Sequence, residues 1–206
     1  MSPELETTLP SVVLTKHHAK EDSKAVFGFW VYIMTDCVLF ASLFAVFAVL
    51  RHNTFGGPSG KDIINMNIVL TETLSLLTSS FTCGLAFLAL NKNHKQKVLF
   101  WFAITFILGA LFLILELNEF HHLITIGDSW RRSGFLSSYF ILVGTHGLHI
   151  TVGLFWMLVV LSKVATKGLT RKSTRQLTML SLFWHFLDII WIFIFTIVFL
   201  MGVIPV

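Results

Sequence analysis

Residues 135–161 read "FLSSYFILVGTHGLHITVGLFWMLVVL". No Asp, Glu, Lys or Arg interrupts these 27 positions. As an α-helix the stretch extends about 40 Å, against about 30 Å for the hydrocarbon core of a bilayer. Its apolar residues do not alternate with polar ones, as barrel strands would require, so it predicts a membrane-crossing helix. Two histidines, His146 and His149, stand three residues apart near its centre. A metal site, a proton path and an internal hydrogen-bonding network could each use such a pair.

The rest of the chain repeats the pattern. Of its 206 residues 55% are hydrophobic and only 13% are charged, with 21 Phe and a mean hydropathy of +0.78. An ordinary soluble domain has about a quarter of its residues charged, so a soluble fold is excluded. Five apolar runs are long enough to cross a bilayer, near 27–50, 63–90, 98–119, 135–161 and 177–203. The expected fold is an all-α membrane protein, a bundle of five transmembrane helices. It forms a single membrane domain over 26–206, after a flexible tail at 1–25. That tail is polar and has no apolar core before a cleavage site, so it does not read as a signal peptide. Its His17–His18 pair reads as solvated. No internal repeat is visible.

Lys and Arg set the direction. Eleven of the fifteen lie in the N-terminal tail and in the second and fourth connections. The other four are Arg51, Lys61, Arg131 and Arg132. The positive-inside rule then predicts a cytoplasmic N-terminus and an outer, periplasmic C-terminus. The stretch "SKVATKGLTRKSTRQ" (Ser162–Gln176) carries five of the cations and reads as an orientation signal, with anionic lipid as a second use. "RHNTFGGPSGKD" (Arg51–Asp62) is rich in turn formers and reads as a connector.

Ionisable residues inside spans are candidates for function. Here they are Asp36, Glu72, Glu116, Glu119, His146, His149, His185 and Asp188. A helix turns about 100° per residue, which places His146, His149 and Gly153 on one face. Gly144, Gly147 and Thr151 fall on the opposite face, small enough for another helix to approach closely. The fourth span is therefore expected inside the bundle, away from its lipid-exposed rim. On the fifth span, Trp184, His185, Asp188 and Trp191 share a packed polar face. Phe186, Ile190, Phe193 and Ile197 share the face expected to meet lipid. His185 and Asp188 are one turn apart, within reach of a direct or bridged hydrogen bond.

Depth sorts these groups further. Asp36 lies about 14 Å inside its cytoplasmic helix end, with Asp188 at comparable depth and His185 shallower. These three can form an inner polar layer. Glu72, Glu116 and Glu119 lie in the outer half. Histidines at i and i+3 with a carboxylate from another helix suit a metal, and histidines from two spans suit a haem. Donation from each histidine to a carboxylate or carbonyl on a neighbouring helix suits a purely structural network. A complete proton path needs polar groups at every depth, and this set is too scattered for a stand-alone channel. Trp30, Trp101, Trp184 and Trp130 fall near helix ends and read as an interfacial belt, whereas Trp191 is deep enough to be a packing residue. Cys37 and Cys83 form no C-x-x-C and read as small apolar residues.

Several longer motifs resemble a known family. "FWHFLDIIWIFIFT" (Phe183–Thr196) and "GTHGLHITVG" (Gly144–Gly153) are similar to segments of subunit III of the haem-copper terminal oxidases. "GFWVYIMTDCVLFASLFA" from Gly28, "TETLSLLTSSFTCGLA" from Thr71 and "GALFLILELNEFHHLI" from Gly109 agree in order. Within the family the chain resembles the cytochrome o (bo-type) ubiquinol oxidase branch. It has five spans rather than seven, a His-containing polar tail, the "GGPSGKD" loop and "NEFHHLI" followed by "RSGFLSS".

The resemblance implies a non-catalytic subunit of a bacterial inner-membrane, proton-pumping quinol oxidase, with no catalytic centre, metal or cofactor-binding residue of its own. Haems and copper are implied in subunit I. This chain would pack beside that subunit, together with subunits II and IV, supporting proton uptake and holding phospholipid. No nucleic-acid partner is implied. His146, His149, His185, Asp188, Trp184, Trp191 and Glu119 fall on family motif positions. Asp36 falls where relatives carry an acidic residue. One position departs from the pattern. The mitochondrial-type members have a lipid-contacting glutamate before an N-T-x-x-L-L motif, a region that here holds Asn65 and Asn67. Glu72 stands at the motif's Asn, so the lipid role is not carried to it. Two other readings stay open at this point. One is subunit III of an aa-type menaquinol or cytochrome c oxidase. The other is a redox or transport protein, with a haem held by His146, His149 or His185, or with proton flux of its own.

Overall fold

The computed structural model describes residues 4–54 and 65–200, with side chains from 24 onward within those ranges. It is all-helical. Helix α1 spans Glu4–Leu50, α2 Met66–Asn91, α3 Lys95–Ile126, α4 Gly134–Lys167 and α5 Arg171–Ile194, and a π-helical turn, Phe195–Leu200, continues α5. Each contributes a stretch long and apolar enough to cross a membrane, that of α1 beginning at Lys24. The five expected spans are thus all present, several with polar residues added at their ends. No Gly or Pro stands between Pro10 and Gly28, and α1 is helical from Glu4. Most of the Arg51–Asp62 loop, residues 63–64 of the second predicted span and residues 201–203 of the fifth lie outside the described residues.

Local sequence explains the boundaries. Asn65 Oδ1 accepts from the Asn67 amide at 3.3 Å and opens α2. Ser133 Oγ accepts from Leu136 N at 3.1 Å and opens α4, and Thr170 does the same for α5 through Ser173 N. Each is a side-chain cap on an otherwise unpaired helix N–H. Gly127, at φ 94°, takes the left-handed conformation that ends α3.

The chain separates into two compact units, residues 1–37 and 38–206, with α1 running through both. In the first, Phe29 and Tyr32 pair their rings at 6.1 Å, and Ile33 and Asp36 are buried. In the second, short connections make α2–α3 and α4–α5 antiparallel pairs. α3 also packs on α4 and α2 on α5, which closes a ring of four helices. The remainder of α1 lies against this ring through Phe40, 5.3 Å from the ring of His149, Phe47, 6.0 Å from Phe135, and Phe44, 6.3 Å from Phe193.

Small polar residues stitch α2 to α3 inside, among buried rings such as Phe102, Phe112 and Trp191, while other large apolar residues face out. Ser75 and Ser79 of α2 donate to the Leu108 and Thr105 carbonyls of α3, at 3.0 and 3.2 Å, and Thr82 bonds Thr105. Phe27, Phe81, Ile107 and Phe155 point outward.

Three expectations need correction. α4 is not confined to the interior: Ile141, Leu148, Val152 and Phe155 form an exposed stripe along it. A helix surface has room for a third face beside the histidine and glycine faces, and this one is apolar. Ile190 of α5 is buried, and Ile189 is exposed in its place. Trp184 is buried rather than interfacial, because its indole fills a notch described below.

Candidate functional site

Two polar clusters occupy the four-helix ring. The first is a ladder between α2 and α5. Trp191 Nε1 donates to Thr73 Oγ1 at 3.1 Å and Trp184 Nε1 to Ser79 Oγ at 3.0 Å. Ser80 Oγ lies 2.7 Å from His185 Nδ1, and Cys83 Sγ–H donates to Ser181 Oγ at 3.5 Å. From Thr73–Trp191 at one end to Cys83–Ser181 at the other, the ladder runs in opposite directions along the two helices. Ser80 and His185 are both electrostatic neighbours of Asp188, and Ser80, from another helix, is the one bonded to His185. Asp188 Oδ1 has no hydrogen-bond partner among the described residues. Ser80, His185 and Asp188 line an open groove on the outside of the α2–α5 pair.

The indoles also set the helix spacing. A Cβ on Gly109 of α3 would stand 2.7 Å from Trp184 ring carbons, and one on Gly153 of α4 would stand 3.3 Å from that ring. Both glycines make room for one side chain, which touches α2, α3 and α4 from α5.

The second cluster gathers carboxyl groups. Glu72 of α2 and Glu116 and Glu119 of α3 are electrostatic neighbours, and Tyr139 of α4 stands among them. Glu72 and Glu116 are buried, and neither oxygen of either side chain has a hydrogen-bond partner among the described residues. The glycine face of α4 meets this cluster: a Cβ on Gly147 would lie 3.1 Å from Glu116 Oε1, and one on Gly144 would lie 3.5 Å from the Phe120 ring. Thr151, on the same face, is exposed and bonds back to the Gly147 carbonyl.

The histidines divide by environment. His185 is tied to α2 through Ser80. His149 Nδ1 lies 2.7 Å from the Thr145 carbonyl of its own helix. His146 is fully buried among rings. It stacks on Trp191 at 5.3 Å, and Phe112 and Phe40 stand edge-on at 5.9 and 6.4 Å. Neither of its nitrogens has a hydrogen-bond partner among the described residues. No group of three or more His, Cys, Asp or Glu side chains among the described residues is arranged to hold a metal ion. Asp36 belongs to the first unit, one helical turn from Tyr32.

Thr73, Ser79 and Ser80 were not among the residues singled out from sequence, although each completes a bond to α5. Their only signal was the run of hydroxyls in "TETLSLLTSS" beside a span rich in Trp and His.

Five helices, each long and apolar enough to cross a membrane, make the chain a multi-pass helical membrane protein. Residues 8–203 match the cytochrome c oxidase subunit III family, and the chain belongs to that family. It is 56% identical to the cytochrome bo(3) ubiquinol oxidase subunit 3 of Pseudomonas aeruginosa, over 90% of this chain and 89% of that one. The protein of the same name from Pseudomonas putida is 53% identical over 86% of each chain. That of Buchnera aphidicola subsp. Baizongia pistaciae is 46% identical over 88% of this chain and 94% of its own.

Proposed function

We propose that the chain is subunit III of a cytochrome bo-type ubiquinol oxidase, the respiratory complex that oxidises ubiquinol and reduces oxygen to water while moving protons. The observation that carries this reading is 56% identity over nine-tenths of the chain to a subunit of that name. The chain acts as a non-catalytic partner. Hydroxyls and indoles in its interior stitch the helices together, through Ser75, Ser79, Thr73, Trp184 and Trp191.

In this reading the chain sits in the bacterial inner membrane with its N-terminus in the cytoplasm. Eleven of fifteen Lys and Arg on one side support that orientation. It forms one membrane domain behind its N-terminal tail. It packs against subunit I, which holds the haems and copper, in company with subunits II and IV. It steadies subunit I, supports proton uptake and holds phospholipid. The eight intramembrane ionisable residues serve as packing and polar support rather than as ligands.

The test is purification of the chain from its native membrane in mild detergent. A haem-containing complex with ubiquinol oxidase activity is the expected companion. A chain that purifies alone with its own Soret absorption, or that moves protons alone in liposomes, overturns the reading.

A further inference from the structure

The groove between α2 and α5 has about 450 Å³ of open space. Its rim is apolar, from Leu77, Phe81 and Leu88, all of them exposed. Its floor is polar, from Ser80, His185 and Asp188. Asp188 is only 9% exposed, yet Oδ1 has no hydrogen-bond partner among the described residues. It stands near the middle of the candidate span Arg171–Leu200, too deep for bulk water or a lipid headgroup to reach in an intact bilayer. Acyl chains offer an acceptor nothing, and polar groups in hydrocarbon are costly unless paired.

The hydrogen bonds on the floor set what must arrive. Ser80 has one hydroxyl hydrogen and two neighbours, His185 Nδ1 and Asp188. When His185 Nδ1–H donates to Ser80 Oγ, the serine hydrogen is free to turn toward the Asp188 carboxylate. That arrangement leaves two acceptors open, His185 Nε2 and Asp188 Oδ1. Two acceptors in an apolar frame fit a donor with positive charge, and the guanidinium fork of Arg or the ammonium of Lys supplies one.

We infer that the α2–α5 groove is the seat of a transmembrane helix from another subunit of the complex, and that this helix presents a basic side chain to Asp188. The apolar rim supplies the packing and the carboxylate the register. A lone basic residue inside a partner span would itself be expensive, so each side resolves the other's unpaired group.

The inference rests on the chain being an oxidase subunit, and the experiment separates the two. In the intact complex, a photo-crosslinking side chain replaces Phe81 in the groove, with Ile107, exposed on α3, as the comparison position. Expected from position 81 is a crosslinked peptide from the span of another subunit, with a Lys or Arg inside that span. Lipid alone, a second copy of this chain, or a span without a basic residue overturns the inference. Because this arm keeps Asp188, it does not depend on a variant that fails to fold. In a second arm, Asp188→Asn lowers retention of the chain in the detergent-washed complex about tenfold, and Asp188→Glu restores part of it. Native retention in Asp188→Asn overturns the pairing. If no haem protein accompanies the native chain, the oxidase reading itself fails. If it does and position 81 finds only lipid, the groove inference alone fails.

Discussion

The indole of Trp184 lies directly over Gly109. A Cβ added to that glycine would stand 2.7 Å from both Cη2 and Cζ2 of the ring. The contact is an interhelical one, α5 against α3, and the same ring donates its Nε1–H to Ser79 of α2. One side chain therefore measures two helix spacings at once, and neither the ring nor the backbone beneath it can yield cheaply.

Gly109→Ala is accordingly expected to destabilise the bundle by about 1–3 kcal/mol, the usual cost of forcing extra carbon into a filled core. Gly28→Ala is the matched comparison, because nothing lies within 4 Å of a Cβ there, and it should be close to neutral. Thermal unfolding of the two variants in one detergent measures the difference. Equal behaviour would mean that the notch over Gly109 is slack.

The ladder between α2 and α5 predicts coupling between particular pairs. Ser79→Ala and Trp184→Phe each break the 3.0 Å bond, so the double variant should cost less than the two single variants added together. Coupling in membrane bundles averages about 0.6 kcal/mol and reaches about 1.7. Trp184 is buried, which places the expected value in the upper part of that range. Thr73→Val with Trp191→Phe offers a second, independent cycle one to two turns away. Additive effects in both cycles would remove the ladder as a source of stability.

How much of this was legible beforehand depended on the physics of each feature. The five spans were, because uninterrupted apolar runs have one common solution in lipid. The buried acids and histidines were, because ionisable residues stand out against such runs. The hydroxyl partners were not. Within a helix, Ser and Thr can bond the carbonyl one turn back, as Thr78 does to Leu74 at 2.7 Å. Ser80, two positions on, instead turns to another helix. Nothing in the local sequence separates these two outcomes, since the choice depends on how α2 is rotated against α5. The interfacial reading of Trp184, though not its place on the packed face of α5, failed for a related reason. Its distance from the helix end fits an interfacial ring, and only the glycines of two other helices reveal the notch that buries it.

The glycine face of α4 carries a third prediction. A methyl at Gly147 would approach Glu116 Oε1 to 3.1 Å, so the carboxyl must shift by a few tenths of an ångström. Gly147→Ala should lower thermal stability, and Glu116→Ala in the same chain should recover part of the loss by vacating the space. Glu116→Gln should not, because the amide is as large as the carboxyl. The three combinations, compared in one melting series, separate crowding from charge. Recovery by Gln as well as by Ala would point to charge.

His146 gives the sharpest contrast between a structural residue and a chemical one. It is wholly buried and its nitrogens find no hydrogen-bond partner among the described residues. It is instead held as a flat ring between Trp191, Phe112 and Phe40. A ring of similar shape should therefore substitute for it. His146→Phe keeps the stack on Trp191, adds modest volume and removes two unpaired polar atoms, so its net cost should stay under about 1.5 kcal/mol. His146→Ala leaves a cavity beside two aromatic side chains and should cost about 2–4 kcal/mol. Melting temperature of the purified complex, read beside its haem spectrum, distinguishes the two. A Phe variant as damaged as the Ala variant, or one whose spectrum shifts, would show that an imidazole nitrogen is needed. That outcome would restore His146 as a ligand or proton carrier. The expected ordering, Phe well above Ala with an unchanged spectrum, makes it a packing residue that happens to be histidine.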